Sequence, residues 1–244
     1  MKLTERQGKI IEILKAQGYA KVDFLSKKTF ISPSSIRRDL QYLENMGLVE
    51  RDYGGVRLKG VEKKHPPIQV RKNKDKMQKK IIAKKACGLV KNGYTVILDS
   101  STTCYYLVDE LAELKNITVI TNNLETAIYC IQRGLAVYAV GGRALSRIPV
   151  VAGAYAEDML KNVWADIAFF SSYGIDENGI VSDPSEEENQ MRRLMMSRAR
   201  ERVLLLDGSK IGRSSVHVLC TVGDVDHFIT NDDDIAKRYL SLAN

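Results

Sequence analysis

Apolar positions recur at one-turn spacing three times near the start of the chain. Thr4 followed by Gln7 has the pattern of a capping box, and Ile10, Ile11 and Leu14 then share one face, so a helix is expected over about 5 to 17, ending at Gly18. A second amphipathic stretch runs from about 22 to 28, with Val22 and Leu25 on one side. The third is the best punctuated. Ser32 stands in the N-cap position, Pro33 is the first helical residue, Ile36, Leu40 and Leu43 form the apolar stripe, and Gly47 stops the helix. Two short strands, 48–51 and 56–58, then flank the turn Asp52-Tyr53-Gly54-Gly55. Three short helices followed by a hairpin predict a winged helix-turn-helix over residues 1–58.

Beyond it the pattern changes. Residues 59–74 are rich in Lys and Arg and contain Pro66-Pro67, which predicts a basic linker with a hinge. From about Asp75 a helical pattern runs through Ile81, Ile82, Ala86 and Leu89 to Asn92-Gly93. Strands are then expected at 94–98, 117–121, 135–140, 165–170, 202–206, 216–219 and 226–229. They alternate with helices near 103–114, 123–133, 154–162, 185–199 and 232–242. Alternation of this kind predicts an α/β domain over residues 75–244 built on a mostly parallel sheet. No apolar run reaches membrane-spanning length, and the N-terminus lacks the features of a signal peptide, so a cytoplasmic protein with no membrane partner is expected.

Charge separates the two parts. The 244 residues carry a formal net charge of +7, but residues 1–80 hold 20 Lys and Arg against nine acids, whereas residues 81–244 hold 17 against 21. A basic head on a slightly acidic body points to a polyanion at one end only. On a helical wheel of the third helix, Ser34, Arg38, Gln41 and Asn45 oppose the apolar stripe, and Ser35 and Arg37 flank it. Arginine can pair bidentately with guanine, glutamine and asparagine with adenine, and serine can bond a phosphate or a base edge. Arg51, Arg57 and Lys59 fall on or beside the wing, where phosphate contacts are made. Double-stranded DNA is therefore the expected partner, read by a homodimer or homotetramer because half-sites are normally read by symmetric assemblies.

In a parallel α/β sheet, ligands bind beyond the carboxyl ends of the strands. The segments expected there are Asp99-Ser100-Ser101-Thr102-Thr103, Thr121-Asn122-Asn123, Gly141-Gly142-Arg143, Ser171-Ser172-Tyr173-Gly174 and Asp207-Gly208-Ser209-Lys210. Small hydroxyls and free amides opening a helix suit phosphate, and five polar strand ends on one edge predict a pocket. No G-x-G-x-x-G follows a strand, which argues against a Rossmann nucleotide site. The cysteines Cys87, Cys104, Cys130 and Cys220 and the histidines His65, His217 and His227 show no metal-ligand spacing, so reduced thiols and neither metal nor cofactor are expected.

These residues also carry a family resemblance. Ser32-Pro33-Ser34-Ser35-Ile36-Arg37-Arg38-Asp39-Leu40, the following Leu43 to Arg51, and Tyr53-Gly54-Gly55-Val56 resemble the DNA-binding domain of the DeoR-type transcriptional repressors. Asp99 to Thr103, Thr121 to Asn123, Val140 to Arg143, Gly174 to Ile180, Glu188 ahead of Arg192 and Arg193, and Asp207 to Lys210 look like that family's effector domain. Tyr53, Ser101 and Cys104 depart from the usual residues. The resemblance implies a fold similar to ribose-5-phosphate isomerases and a repressor of carbohydrate-metabolism genes, relieved by a phosphorylated sugar. It implies that Ser101, Thr102 and Thr103 hold the phosphate, while Asp99, Asn122, Gly142, Glu188, Asp207 and Lys210 line the sugar end. The resemblance is to a non-catalytic family, so no enzyme is expected. The alternative is a sugar-phosphate isomerase with an appended DNA-binding domain, for which Glu188, Asp207 and Lys210 could supply a base and an enediolate-stabilising cation.

Overall fold

The computed structural model describes residues 3–17, 19–52, 55–59, 68–145 and 148–242. Gly18, the wing-turn residues Tyr53 and Gly54, and the Pro66-Pro67 hinge lie outside the described residues. The chain divides into two units, Met1–Lys74 and Asp75–Asn244.

In the first unit, α1 (Glu5–Gln17), α2 (Val22–Thr29) and α3 (Pro33–Asn45) enclose one apolar core of Ile10, Leu14, Leu25, Ile36, Leu40 and Leu43. Thr4 and Gln7 bond reciprocally as a capping box, with the Gln7 amide on Thr4 Oγ1 at 3.2 Å and the Thr4 amide on Gln7 Oε1 at 3.1 Å. Ser32 caps α3 by accepting from the Ser35 amide. Its far end closes where Gly47 adopts φ +69° and the Leu48 amide returns to the Leu43 carbonyl at 2.9 Å, a Schellman closure. β1 (Val49–Asp52) and β2 (Gly55–Leu58) pair antiparallel as the wing, and Ala20 bonds Val56 in both directions, tying the hairpin to the helices. Asp39, on the buried side of α3, takes two bonds from the Arg6 guanidinium and so joins the first helix to the third. The later part of the expected linker is α4 (Ile68–Asn73), a short helix that follows Pro66-Pro67 directly.

The second unit opens with α5 (Lys76–Cys87). It continues through β3 (Thr95–Leu98), α6 (Thr102–Leu111), β4 (Thr118–Thr121), α7 (Leu124–Gln132) and β5 (Ala136–Ala139) to the β6 (Arg143–Ala144) and β7 (Val151–Ala152) ribbon. Then come α8 (Ala154–Lys161), β8 (Ala165–Phe170), β9 (Gly174–Ile175), β10 (Ile180–Asp183), α9 (Glu186–Ser197), β11 (Ala199–Leu205), β12 (His217–Thr221), β13 (His227–Ile229) and α10 (Asp233–Leu240). Six strands form one sheet in the order β13-β11-β8-β3-β4-β5, and every neighbouring pair is parallel. β12 departs from expectation. It pairs antiparallel with β10 in a separate sheet β12-β10-β9, because it follows the long 206–216 excursion rather than a helical crossover.

Alternation along the central strands divides the core. Val96 and Leu98 of β3 pack with Ile82 and Ala86 of α5 and Leu107 and Leu111 of α6 on one face. Ile97, between them, packs with Leu160 of α8 and Met191 and Met195 of α9 on the other. Both faces are thus covered, as an all-parallel sheet requires. The four cysteines are free thiols, and burial pushes Cys130 and Cys220 up to about 12, so both stay protonated. Among the described residues, no helix is long and apolar enough to cross a membrane.

Candidate functional site

Two surfaces carry the chemistry expected from the sequence, one on each unit. On α3, Ser34, Arg37, Arg38, Gln41 and Asn45 are exposed and Ser35 is half-buried, while Ile36, Leu40 and Leu43 face inward. Gln41 Nε2 donates to Asn45 Oδ1 at 3.2 Å, and Arg51 of β1 donates to Gln41 Oε1 at 3.1 Å and pairs with Glu44 at 3.1 Å. Arg51 therefore steadies the polar face of α3 from the wing. Lys59 is exposed. Arg57, expected among the phosphate contacts, is only 6% exposed, and its Nε donates to Glu50 Oε1 at 2.8 Å. It braces the wing internally, because it stands directly across the hairpin from Glu50, on the strand face opposite Val56, which packs into the apolar core.

Arg38 gives this surface a direct test. Arg38→Ala should cost about 1 to 3 kcal/mol of binding to a specific duplex and spare non-specific binding, whereas Lys59→Ala should weaken both. Titrating specific and scrambled duplexes at fixed salt separates base readout from phosphate contact.

The carboxyl edge of the six-stranded sheet holds the second surface. The loops after β3, β4, β8 and β11 meet there, and Asp99, Ser100, Ser101, Thr102, Thr103, Thr121, Asn122, Asn123, Ser171, Ser172 and Asp207 are all buried. Their centre is Arg192 of α9, 3% exposed. Its guanidinium meets Asp99 at 2.9 Å, Asp183 at 3.1 Å and Glu188 at 2.9 Å, and Nη1 donates to Asn189 Oδ1 at 3.2 Å. Burial opposes the charged guanidinium, but Asp183, Glu188 and Asp99 outweigh it and hold the arginine protonated. Ser100 Oγ donates to Glu188 Oε2 at 2.8 Å, and Asp99 accepts the amides of Ser101 at 2.9 Å and Ser171 at 3.2 Å. The strand-end loops are thereby knitted to α9.

Helix α6 opens at this edge. Ser101, expected to hold phosphate, is its N-cap and accepts from the Cys104 amide at 3.1 Å. The amides of Thr102 and Thr103 have no intrahelical acceptor and carry the positive end of the helix dipole. Thr103 Oγ1 and Asn122 Oδ1 are buried with no hydrogen-bond partner among the described residues. Asn123 caps α7 with its oxygen and donates Nδ2 to Ser100 O at 3.1 Å, joining the β3 and β4 loops. Lys210 Nζ donates to Ser171 Oγ at 2.7 Å. Burial would raise the Asp207 carboxyl, but Lys210, the Ser209 hydrogen bonds and Lys79 bring it below its ordinary value. Its contribution to stability is therefore fully present at neutral pH and is lost only as acid carries the pH down through that lowered value.

Asp99, Asn122, Glu188, Asp207 and Lys210 thus lie on the loops and helix that build this edge. Gly142 is exposed, and a Cβ there would come within 3.0 Å of Val151 and 3.1 Å of Ala156, so the glycine serves close backbone packing. Sequence reasoning placed Ser100 and Asn123 in the strand-end segments and Arg192 in the family motif without giving any of them a role, and it passed over Asp183. Arg192 did leave a signal, since it stands four residues after Glu188 among the methionines of an otherwise core-facing helix stripe.

Comparison with known proteins decides the family. Residues 74–232 match the model of the DeoR C terminal sensor domain, and residues 6–60 match the DeoR-like helix-turn-helix domain. The chain belongs to the DeoR family. Its DeoR relatives include the HTH-type transcriptional regulator GolR of Listeria innocua, 34% identical over 93% of this chain and 90% of that protein. The glycerol-3-phosphate regulon repressor of Escherichia coli is 29% identical over 95% and 92%. The lactose phosphotransferase system repressor of Staphylococcus epidermidis is 26% identical over 96% and 94%. Like these DeoR proteins, the chain is a DNA-binding transcriptional regulator with an N-terminal reading unit and a C-terminal sensor. Solved structures with a related chain path include a ribose-5-phosphate isomerase in complex with phospho-erythronic acid, at 17% identity and TM-score 0.41, covering 56% of this chain and 54% of that one.

Proposed function

We propose that this DeoR-family protein is a repressor of carbohydrate-metabolism genes whose hold on operator DNA is set by a phosphorylated sugar or related metabolite. The reading sets Ser34, Ser35, Arg37, Arg38, Gln41, Arg51 and Lys59 on DNA. It sets the ligand at the carboxyl edge of the sheet, with its phosphate at Thr102 and Thr103 and its hydroxyls toward Asn122, Asp207 and Lys210. The observation that carries it is the pair of buried, unpartnered oxygens on Thr103 and Asn122 beside the open first turn of α6. An anion satisfies the amides, and a ligand hydroxyl satisfies Asn122 Oδ1, which can only accept. The repressors named for glycerol 3-phosphate and for the lactose phosphotransferase system support a phosphorylated effector. Operator half-sites call for a homodimer or homotetramer.

The isomerase alternative needs a carboxylate at liberty to take a proton from carbon. Glu188 accepts from Arg192 and Ser100, and Asp207 accepts from the amide and hydroxyl of Ser209, which supports binding without turnover. A thermal-shift screen against sugar phosphates, followed by NMR of the hit incubated with concentrated protein, tests both readings. The hit should raise the melting temperature, release operator DNA and stay unchanged. Interconversion of its aldose and ketose forms above the uncatalysed rate would replace the binding-only reading with the enzyme.

A further inference from the structure

The six-stranded sheet ends in an unguarded edge. Among the described residues β5 pairs only with β4, and its stretch from Ala136 to Ala139 has no charge, proline or bulge, the devices that ordinarily keep a free strand from pairing. Its backbone has a definite parity. The Val140 amide donates to the Thr121 carbonyl at 2.9 Å, so Ala136, Tyr138 and Val140 turn their main-chain groups toward β4, and Val137 and Ala139 turn theirs outward.

The helix above this edge is apolar on the wrong side for a monomer. Thr126, Ala127 and Cys130 of α7 are buried against the sheet, and Tyr129 and Arg133 reach sideways to Asp109 of α6. Leu124, Ile128 and Ile131 line the opposite flank, which overhangs β5 because α7 lies outside α6 in the strand order β3-β4-β5. Ile128 and Ile131 are 56% and 66% exposed, and Tyr138 on the strand below is 59% exposed. The flank carries no charge, so the same surface of a second copy meets no repulsion there. These large side chains expose roughly 400 Å² per copy, about half of the ~800 Å² that each partner gives to a standard interface, and the strand backbone with Ala136, Ala139 and Gln132 adds to it.

We propose that two copies of this chain join through this edge, β5 against β5 antiparallel about a two-fold axis at Tyr138, with the α7 flanks of the two copies packed on one another. The register follows from the parity. Val137 of one protomer exchanges both main-chain bonds with Ala139 of the partner subunit, and the reverse pair does the same, while Tyr138 stands opposite the partner subunit's Tyr138 as a non-hydrogen-bonded pair. The axis is perpendicular to the sheet, so both α7 helices lie on one face and the two sheets become continuous. The proposal rests on the reading of the chain as a symmetric assembly on operator half-sites, and it needs nothing from the effector site.

Sedimentation equilibrium of the full chain without DNA tests this, with thermal melting by circular dichroism as the measure of an intact fold. Wild type should assemble, and the exposed-site double variant Ile128→Asp with Ile131→Asp should raise the dissociation constant about tenfold or more, by setting like charges against each other across the axis. Ala139→Pro removes an outward amide and spares the β4 ladder, so it should weaken assembly as well. If either variant melts early, Tyr138→Cys supplies the same test from the other direction. At a non-hydrogen-bonded pair its two thiols lie within disulfide reach, and mild oxidation should link the variant into dimers on a non-reducing gel while wild type stays unlinked. Wild type that assembles, with variants that assemble equally well and no cross-link at residue 138, overturns the β5 surface and leaves the symmetric assembly standing. A wild type that stays monomeric overturns both.

Discussion

Arg192→Leu is expected to destabilise the sensor unit by about 3 to 5 kcal/mol, because one partner is taken from a buried ionic network while the opposite charges stay behind. Asp99, Asp183 and Glu188 would be left within the core with no guanidinium between them. Ser100, Ser171 and Asn189 would lose the frame that fixes their hydrogen bonds. A carboxyl buried without its cation has a folded pKa raised above the unfolded one. The variant should therefore regain stability as pH is lowered from about 7.5 to about 5.5, the opposite of what depressed carboxylates such as Asp207 would give. Urea unfolding followed by circular dichroism at both pH values checks the size and the sign. A loss under about 1 kcal/mol would mean that the three acids relax into solvent at little cost.

Thr102→Asp should yield a repressor deaf to its effector. A carboxylate at the first position of α6 is tolerated by the helix dipole but repels a phosphate dianion at the same amides. The ligand's thermal shift should disappear and operator binding should become indifferent to ligand, while affinity for DNA without ligand is unchanged. Gel-shift titration with and without ligand measures this, and ligand-driven release from the variant equal to that from wild type would remove the phosphate from α6.

The reading helix was legible in the sequence because its ends and its stripe are all local. Ser32, Pro33 and Gly47 mark its limits, and Ile36, Leu40 and Leu43 its inner face. Asp39 was not, since a charged residue beside that stripe gives no hint that Arg6 will meet it. The parallel sheet followed from the alternation of apolar runs and helical patterns, and the strand-end loops followed from the sheet. What stayed hidden was pairing over distance. Arg57 reads as an exposed wing cation until its cross-strand partner Glu50 is known. Ser101 is also the N-cap of α6, its oxygen accepting from the Cys104 amide, a role that the sequence alone did not show. The β9 and β10 strands are too short and polar to announce themselves, and with them went Asp183 and the reason for β12 to leave the main sheet.

The span of the Arg192 network bears on how the protein is made. Asp99 and the arginine that neutralises it are 93 residues apart in the chain. At ribosomal rates of roughly 5 to 20 residues per second, the carboxylate waits about 5 to 20 s after its own synthesis for its partner. During that interval the strands on either side of it cannot seal around a bare charge, so the half-made sensor keeps its apolar faces open to the crowded cell. The reading unit meets a shorter delay, about 2 to 7 s at the same rates, since Arg6 and Asp39 are only 33 residues apart. Translation pauses between the codons for Asp99 and Arg192 should therefore lower the soluble yield of the full chain, whereas pauses upstream of them should not.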